Sequence, residues 1–156
     1  MDGSHDLHGG TLYERDFHAW ARAQADALRA RDADAIDWTN VVEEIESLGR
    51  AERSSLKSCI VTILEHRLKL DHGIVREPVN KWRASIMRAQ TDVMDNLADN
   101  PSLRREVPEL IGIAYRSARR KALASFEEYE PERVAHYEAA LPRDCPYGEA
   151  DVLDPL

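Results

Sequence analysis

The sequence is poor in the residues that staple or punctuate a chain. It holds two cysteines, Cys59 and Cys145, in 156 residues. Two distant thiols make neither a disulfide framework nor a cysteine-based metal motif, and a reducing cytoplasm is the simplest compartment for such a chain. No apolar run approaches the roughly 18–20 residues of a membrane span. The opening MDGSHDLHGG has no basic and no apolar stretch, so it is not expected to be a signal peptide. No alternating run of β-branched residues lies between turn signals, which argues against a sheet, and no segment of 20–50 residues repeats. Nucleophile and phosphate motifs are missing as well: there is no Gly-x-Ser-x-Gly, no Cys-x-x-Cys and no phosphate-cradling glycine loop. The Glu-x-x-His motif of di-iron bundles and the His-Glu-x-x-His motif of zinc proteases are also absent.

What the chain has is charge. Charged residues are 32% of it, 29 acids against 21 Lys and Arg, for a net charge of -8. A protein that binds nucleic acid over its whole surface carries the opposite sign, so the composition argues against nucleic acid as a partner. The charge is blocked along the sequence. Residues 1–52 hold 12 acids and 5 bases, residues 53–125 hold 8 acids and 14 bases, and residues 126–156 hold 9 acids and 2 bases. Such blocks either neutralise one another by packing or leave a basic surface shielded by acidic ends.

Apolar residues recur at helical spacing. Phe17, Trp20, Ala21, Gln24 and Leu28 share one face of a helix expected from Tyr13 to about Arg31, with Gln24 its one polar member. The aspartates of residues 32–37 fit a turn. A second helix is expected from about Trp38 to Leu70, with Val41, Ile45, Leu48, Leu56, Cys59, Ile60, Ile63 and Leu64 as its core stripe. Gly49 within it marks a bend or a close crossing, and Gly73 suits the left-handed position after the helix end. Residues 74–80, with Pro78, read as a connection.

A third helix is expected over about 80–98, carrying Trp82, Ile86, Ala89, Val93 and Leu97 on one face. A fourth is expected from about Ser102 to Ser125, kinked or divided near Val107 by Pro108. Arg116, Arg119, Arg120 and Lys121 fall in its expected last turns, where the helix dipole favours cations. A short fifth helix follows over Pro131–Ala140. The expected architecture is all-α, an antiparallel bundle of four main helices plus a short C-terminal helix. It divides into a flexible tail over 1–11, a bundle domain over 12–141 and a C-terminal tail over 142–156.

Seven side chains are candidates for a pocket or motif: Glu43, Glu44, Glu46, Glu52, His66, Trp82 and Arg88. Carboxylates with imidazole bind divalent metals, and bundles host such sites, so Glu44, Glu46 and His66 form a possible metal set. Helical phase puts Glu43 opposite the apolar stripe, with Glu44 and Glu46 on its flanks. Glu44 and His66 are 22 residues apart, roughly 33 Å on one helix, so a shared ion requires a second helix. Glu52 falls on the stripe and needs a partner, an arginine or a bend that turns it outward. His66 lies at the stripe's edge, where a hydrogen-bonded structural histidine is the alternative to a ligand. His66, Asp71 and His72 form a second possible metal group, because His72 belongs to the turn after the helix and could fold back toward His66. Lys81, Arg83 and Arg88 surround Trp82, which fits either base stacking or a core tryptophan whose basic neighbours pair with acids of the second helix. Cys59 reads as an inert core thiol, and the acids near Cys145 keep it protonated.

Five segments in order, LYERDFHAWARAQADALR, DWTNVVEEIESLGRAERSSLKS, ILEHRLKL, KWRASIMRAQ and NPSLRREVPELIGIAYRSARRKA, resemble the domain-of-unknown-function 29 family, found largely in bacteria including cyanobacteria. The resemblance covers about residues 12–125, and EEIESLG after Asp-Trp is its most specific piece. The family often has tryptophan where this chain has Leu70, and serine where it has Lys81. The resemblance implies an almost entirely helical protein and no known activity. Trp20, Asp37, Trp38, Glu43, Glu44, Glu46, Gly49, His66, Lys69, Trp82 and Arg88 stand at its motif positions. The expected function is that of a cytoplasmic interaction or accessory protein, with a protein partner or a homodimer, no membrane and no required cofactor. The alternative is a metal-dependent enzyme using glutamate and histidine side chains within the bundle.

Overall fold

The structure, a computed structural model, describes residues 10–73 and 79–155. The expected tail over residues 1–9 and most of the Pro78 connection lie outside the described residues. Every regular element among the described residues is helical. The chain divides into two compact units, residues 1–49 and residues 50–156.

In the first unit the single helix expected over 13–31 is two, α1 (Leu12–Arg15) and α2 (Phe17–Ala30). Asp16 makes the break, because its carboxylate accepts the Ala19 amide at 2.9 Å and caps α2. An aspartate that satisfies an orphan helix-start donor competes with continuing the helix through it. Thr11 and Glu14 form a reciprocal capping box on α1. Arg31 ends α2 at φ 57°, and a short 3-10 turn over Ala33–Ala35 leads to α3 (Trp38–His72).

In the second unit the core is built by the later turns of α3, by α4 (Val79–Asp99) and by α5 (Val107–Tyr129). Leu56, Ile60, Ile63, Leu64 and Leu68 of α3 pack with Ile86 and Val93 of α4 and with Leu110, Ala118 and Phe126 of α5. Burying a side chain of this size stabilises by about 1.5–3 kcal/mol relative to exposure. Pro101 opens a 3-10 segment over Pro101–Glu106, and Pro108 sits in the first turn of α5, where its missing N–H costs nothing. The division expected near Val107 is therefore where α5 begins.

Beyond α5 come α6 (Val134–Ala140) and α7 (Glu149–Leu153). Residues after Leu141 carry part of the core: Val152 is fully buried, and Cys145, Tyr147 and Leu153 pack against the cluster. Arg67 holds the Asp151 carbonyl at 3.0 Å and its carboxylate at 3.3 Å, while Gln90 donates to the Asp154 carbonyl at 2.6 Å.

Three further expectations change. Gly73 has no left-handed backbone; a Cβ there would meet the Lys69 carbonyl oxygen at 2.3 Å, so glycine serves close approach rather than positive φ. Gly49 has open space around it and marks no close crossing. Arg116–Lys121 do not end a helix, since α5 continues to Tyr129 and its last turn carries no base. The dipole therefore does not account for them.

Candidate functional site

In the first unit the chemistry gathers on Asp37. Its carboxylate accepts the Trp20 indole N–H at 3.2 Å and the Asn40 side-chain amide at 2.6 Å. Its own amide donates to Gln24 Oε1 at 2.7 Å, which explains the lone polar member of the α2 stripe. The Asn40 bond is the main cause that holds the Asp37 pKa below its ordinary value, against a smaller opposing effect of burial. Glu44 accepts the Tyr13 hydroxyl at 2.5 Å, and that bond pushes the tyrosine pKa up to about 12. The Tyr13 ring meets Trp20 edge-on at 4.8 Å. Trp20, Asp37 and Glu44 thus knit α1 and α2 to the start of α3. Tyr13, Gln24 and Asn40, which complete this network, could have been found only as polar residues left on apolar faces.

The same stretch of α3 leaves an apolar surface uncovered. Trp38 is 55% exposed, Val42 50%, Ile45 62% and Leu48 68%. Ile45 and Leu48, expected in the core, are on the surface; only Val41 of that part of the stripe is buried. At ~100° per residue the four exposed side chains cover an arc of about 120° with Glu44 and Glu46 on its flanks. Glu43 is exposed on the far side.

In the second unit Glu52 is exposed and finds amides rather than an arginine: Asn96 and Asn100 of the α4 end donate to it at 3.2 and 3.4 Å. Trp82 is buried, which makes it a core tryptophan, whereas Arg88 is exposed beside Ser58, Cys59 and Asp92 and forms no ion pair among the described residues. Burial raises the thiol pKa of both Cys59 and Cys145.

Glu44 and Glu46 belong to the first unit and Glu52 and His66 to the second. Among the described residues no three His, Cys, Asp or Glu side chains are grouped so that they could hold a metal ion. In the second unit the candidate His66 and the motif residue Lys69 fall beside Glu65: Lys69, itself buried, donates to Glu65 at 2.7 Å, with His66 half-buried on the turn between them.

Among the described residues His66 Nδ1 is buried without a hydrogen-bond partner. Burial lowers its pKa below the ordinary 6.5; Glu65 opposes this, and the charges of Lys69 and Lys121 add to it. The folded state thus keeps His66 neutral at a pH where the unfolded chain takes up a proton. Its contribution to stability is complete above about pH 6.5 and is lost as pH falls through the lower folded value. Urea unfolding at pH 7.5 and 5.5 is therefore expected to show a larger acid loss for the native chain than for His66→Gln. Equal losses would show that His66 is not the group that titrates.

The order and spacing of these residues match a known family profile over residues 12–156, described as "Domain of unknown function DUF29". The chain belongs to the DUF29 family. The match takes in α7 and the docked C-terminal segment as well as the four main helices. Neither the curated proteins nor the solved structures contain a significant match to this DUF29 chain. Of the family's motif positions, Trp20, Asp37 and Glu44 build the first unit's network, Lys69 and Trp82 are buried in the second, and Trp38 is exposed. No helix among the described residues is long and apolar enough to cross a membrane.

Proposed function

We propose that this DUF29 chain is a cytoplasmic interaction protein and that the exposed face of α3 docks a basic amphipathic helix of a partner protein. The observation that carries it is the row Trp38, Val42, Ile45 and Leu48, four large apolar side chains each half exposed or more on one arc of one helix. A contiguous exposed apolar surface rimmed by polar residues is characteristic of an interaction site. Amphipathic helices are recognised through such i, i+3, i+4, i+7 anchors.

Charge selects the occupant. Residues 1–49 contain eleven acids and four bases, and Glu44 and Glu46 border the arc. A second copy docking through the same face would set acid against acid, while a partner with Lys or Arg beside its apolar stripe would be attracted and steered. The reading requires no cofactor and assigns no reaction.

A twenty-residue Leu/Lys amphipathic peptide and its Leu/Glu counterpart provide the test. The basic peptide is expected to bind the native chain, with affinity falling at least about tenfold in Ile45→Glu and Leu48→Glu and with increasing salt. Light scattering is expected to give a monomer. Equal binding of both peptides, binding unaffected by the two substitutions, or a dimer abolished by them would overturn the choice of partner.

A further inference from the structure

The second unit contains a cleft of about 1090 Å3 along α5, on the side facing the segment that follows α6. It has no part in the docking face, because all its lining residues fall between Gly112 and Cys145. Its wall is built by donors aimed at backbone carbonyls. Tyr115 donates its hydroxyl to the Pro142 carbonyl at 2.7 Å. Arg119 bonds the same carbonyl through Nε at 3.1 Å and the Glu138 carbonyl through Nη2 at 3.0 Å. Further along, Tyr147 donates to Asp71 at 2.7 Å. The 142–147 segment, of which Arg143, Asp144 and Cys145 line the cleft, is thus held at both of its ends.

Arg119 is engaged in this clamp through Nε and Nη2, but Arg116, Arg120 and Arg143 are not. They line the cleft, are exposed, and form no hydrogen bond or ion pair among the described residues. Arg116 and Arg120 are one turn apart and project from the same face of α5. Three acids also line the cleft, Glu127, Glu138 and Asp144, and none forms an ion pair with these arginines. Glu127 lies seven residues beyond Arg120, about 10 Å along the helix. The lining's four arginines, Arg116, Arg119, Arg120 and Arg143, outnumber its three acids. The helix dipole does not explain Arg116 and Arg120, which are in mid-helix, and Arg143 lies outside any helix. The apolar side chains Ile113, half exposed, and Leu123 line the same cleft, one on each side of the Arg116/Arg120 pair along α5.

We propose that this cleft binds a small molecule that carries an anionic group on an apolar body. Arg116, Arg120 and Arg143 hold the carboxylate, sulfonate or phosphate, and Ile113 and Leu123 cover the apolar part. Guanidinium groups present paired donors that match such anions. A concave site with an apolar lining and a few convergent polar groups is the usual form of a small-molecule site, and the volume suits a ligand of that size.

The probe is 8-anilinonaphthalene-1-sulfonate, followed by its fluorescence on titration into the full chain. The native protein is expected to bind it saturably. The Arg116→Gln/Arg120→Gln double variant is expected to weaken binding at least about tenfold, since each substitution removes charge-assisted hydrogen bonds. Arg22→Gln, an exposed arginine outside the cleft, and Ile45→Glu, on the docking face, are expected to leave it unchanged. Circular dichroism and the thermal midpoint verify that the double variant is folded, which is expected because both side chains are exposed. Undiminished binding in the folded double variant, an equal loss in Arg22→Gln, or loss in Ile45→Glu instead would overturn the assignment.

Discussion

Lys69→Met is expected to lower the unfolding free energy of the second unit by about 3 kcal/mol. Lys69 is 6% exposed, and its ammonium meets Glu65 at 2.7 Å one turn back on α3, with the Glu65 side chain itself 16% exposed. The pair owes little to Coulomb attraction alone, because removing two charges from water offsets most of it. The cost comes from asymmetry. Without the ammonium, the Glu65 carboxylate stays in a largely dry environment with no cation to balance it. Truncating one partner of such a pair typically costs about 3–5 kcal/mol, and the remaining exposure of Glu65 favours the lower end. The double variant Glu65→Leu/Lys69→Met is expected to recover most of the loss, since two apolar side chains of similar size can occupy the same space. Urea unfolding with unchanged slope, read as a shift in midpoint, measures both. A single-variant cost below about 1 kcal/mol would mean that water reaches Glu65 freely.

Periodicity located α3, α4 and α5 because their apolar faces repeat over many turns, and it recognised Trp82, Ile86 and Val93 as core. It could not see that Ile45 and Leu48 would be left outside. A stripe records which side chains share a face, and what covers that face depends on the rest of the chain. The Asp16 break was hidden for a different reason: neither glycine nor proline marks it, and an aspartate inside a helical pattern reveals itself as a cap only through its bond to Ala19. After Leu141 the prolines at 142, 146 and 155 masked a short helix whose Val152 is fully buried.

The candidate site was legible in its residue types but not in its partners. Glu52 needed a partner by helical phase, yet Asn96 and Asn100 lie more than forty residues away on another helix. Conversely, Glu44 and His66 share a helix, and their separation along it already forbade a common ion without help. The arginines of α5 read in the sequence as a run at a helix end, but the helix extends two turns beyond them, and a carbonyl-clamped segment lines the same cleft. In each case a local signal was correct about chemistry and silent about distance.

The other large effect is expected at the junction of α5 and α6. Phe126 is 4% exposed and stacks on the fully buried Tyr137 ring, with centroids 3.9 Å apart and planes 13° from parallel. The Tyr137 hydroxyl is bonded to Glu130, so the two rings and that carboxylate close the turn between the helices. Phe126→Ala is expected to cost about 3–5 kcal/mol from lost transfer energy and the cavity left behind. Phe126→Leu, which keeps most of the volume but not the stacking, is expected to cost less than half of that. The stack also supports the clamp, because α6 supplies the Glu138 carbonyl that Arg119 holds. Limited proteolysis under conditions where the native chain resists is therefore expected to cut the alanine variant first between residues 130 and 145, with the Phe126→Leu variant intermediate. If the alanine variant lost stability with no preferential cleavage in that segment, the rings would be ordinary core filling, and the turn would owe its order to the Arg119 and Tyr115 bonds alone.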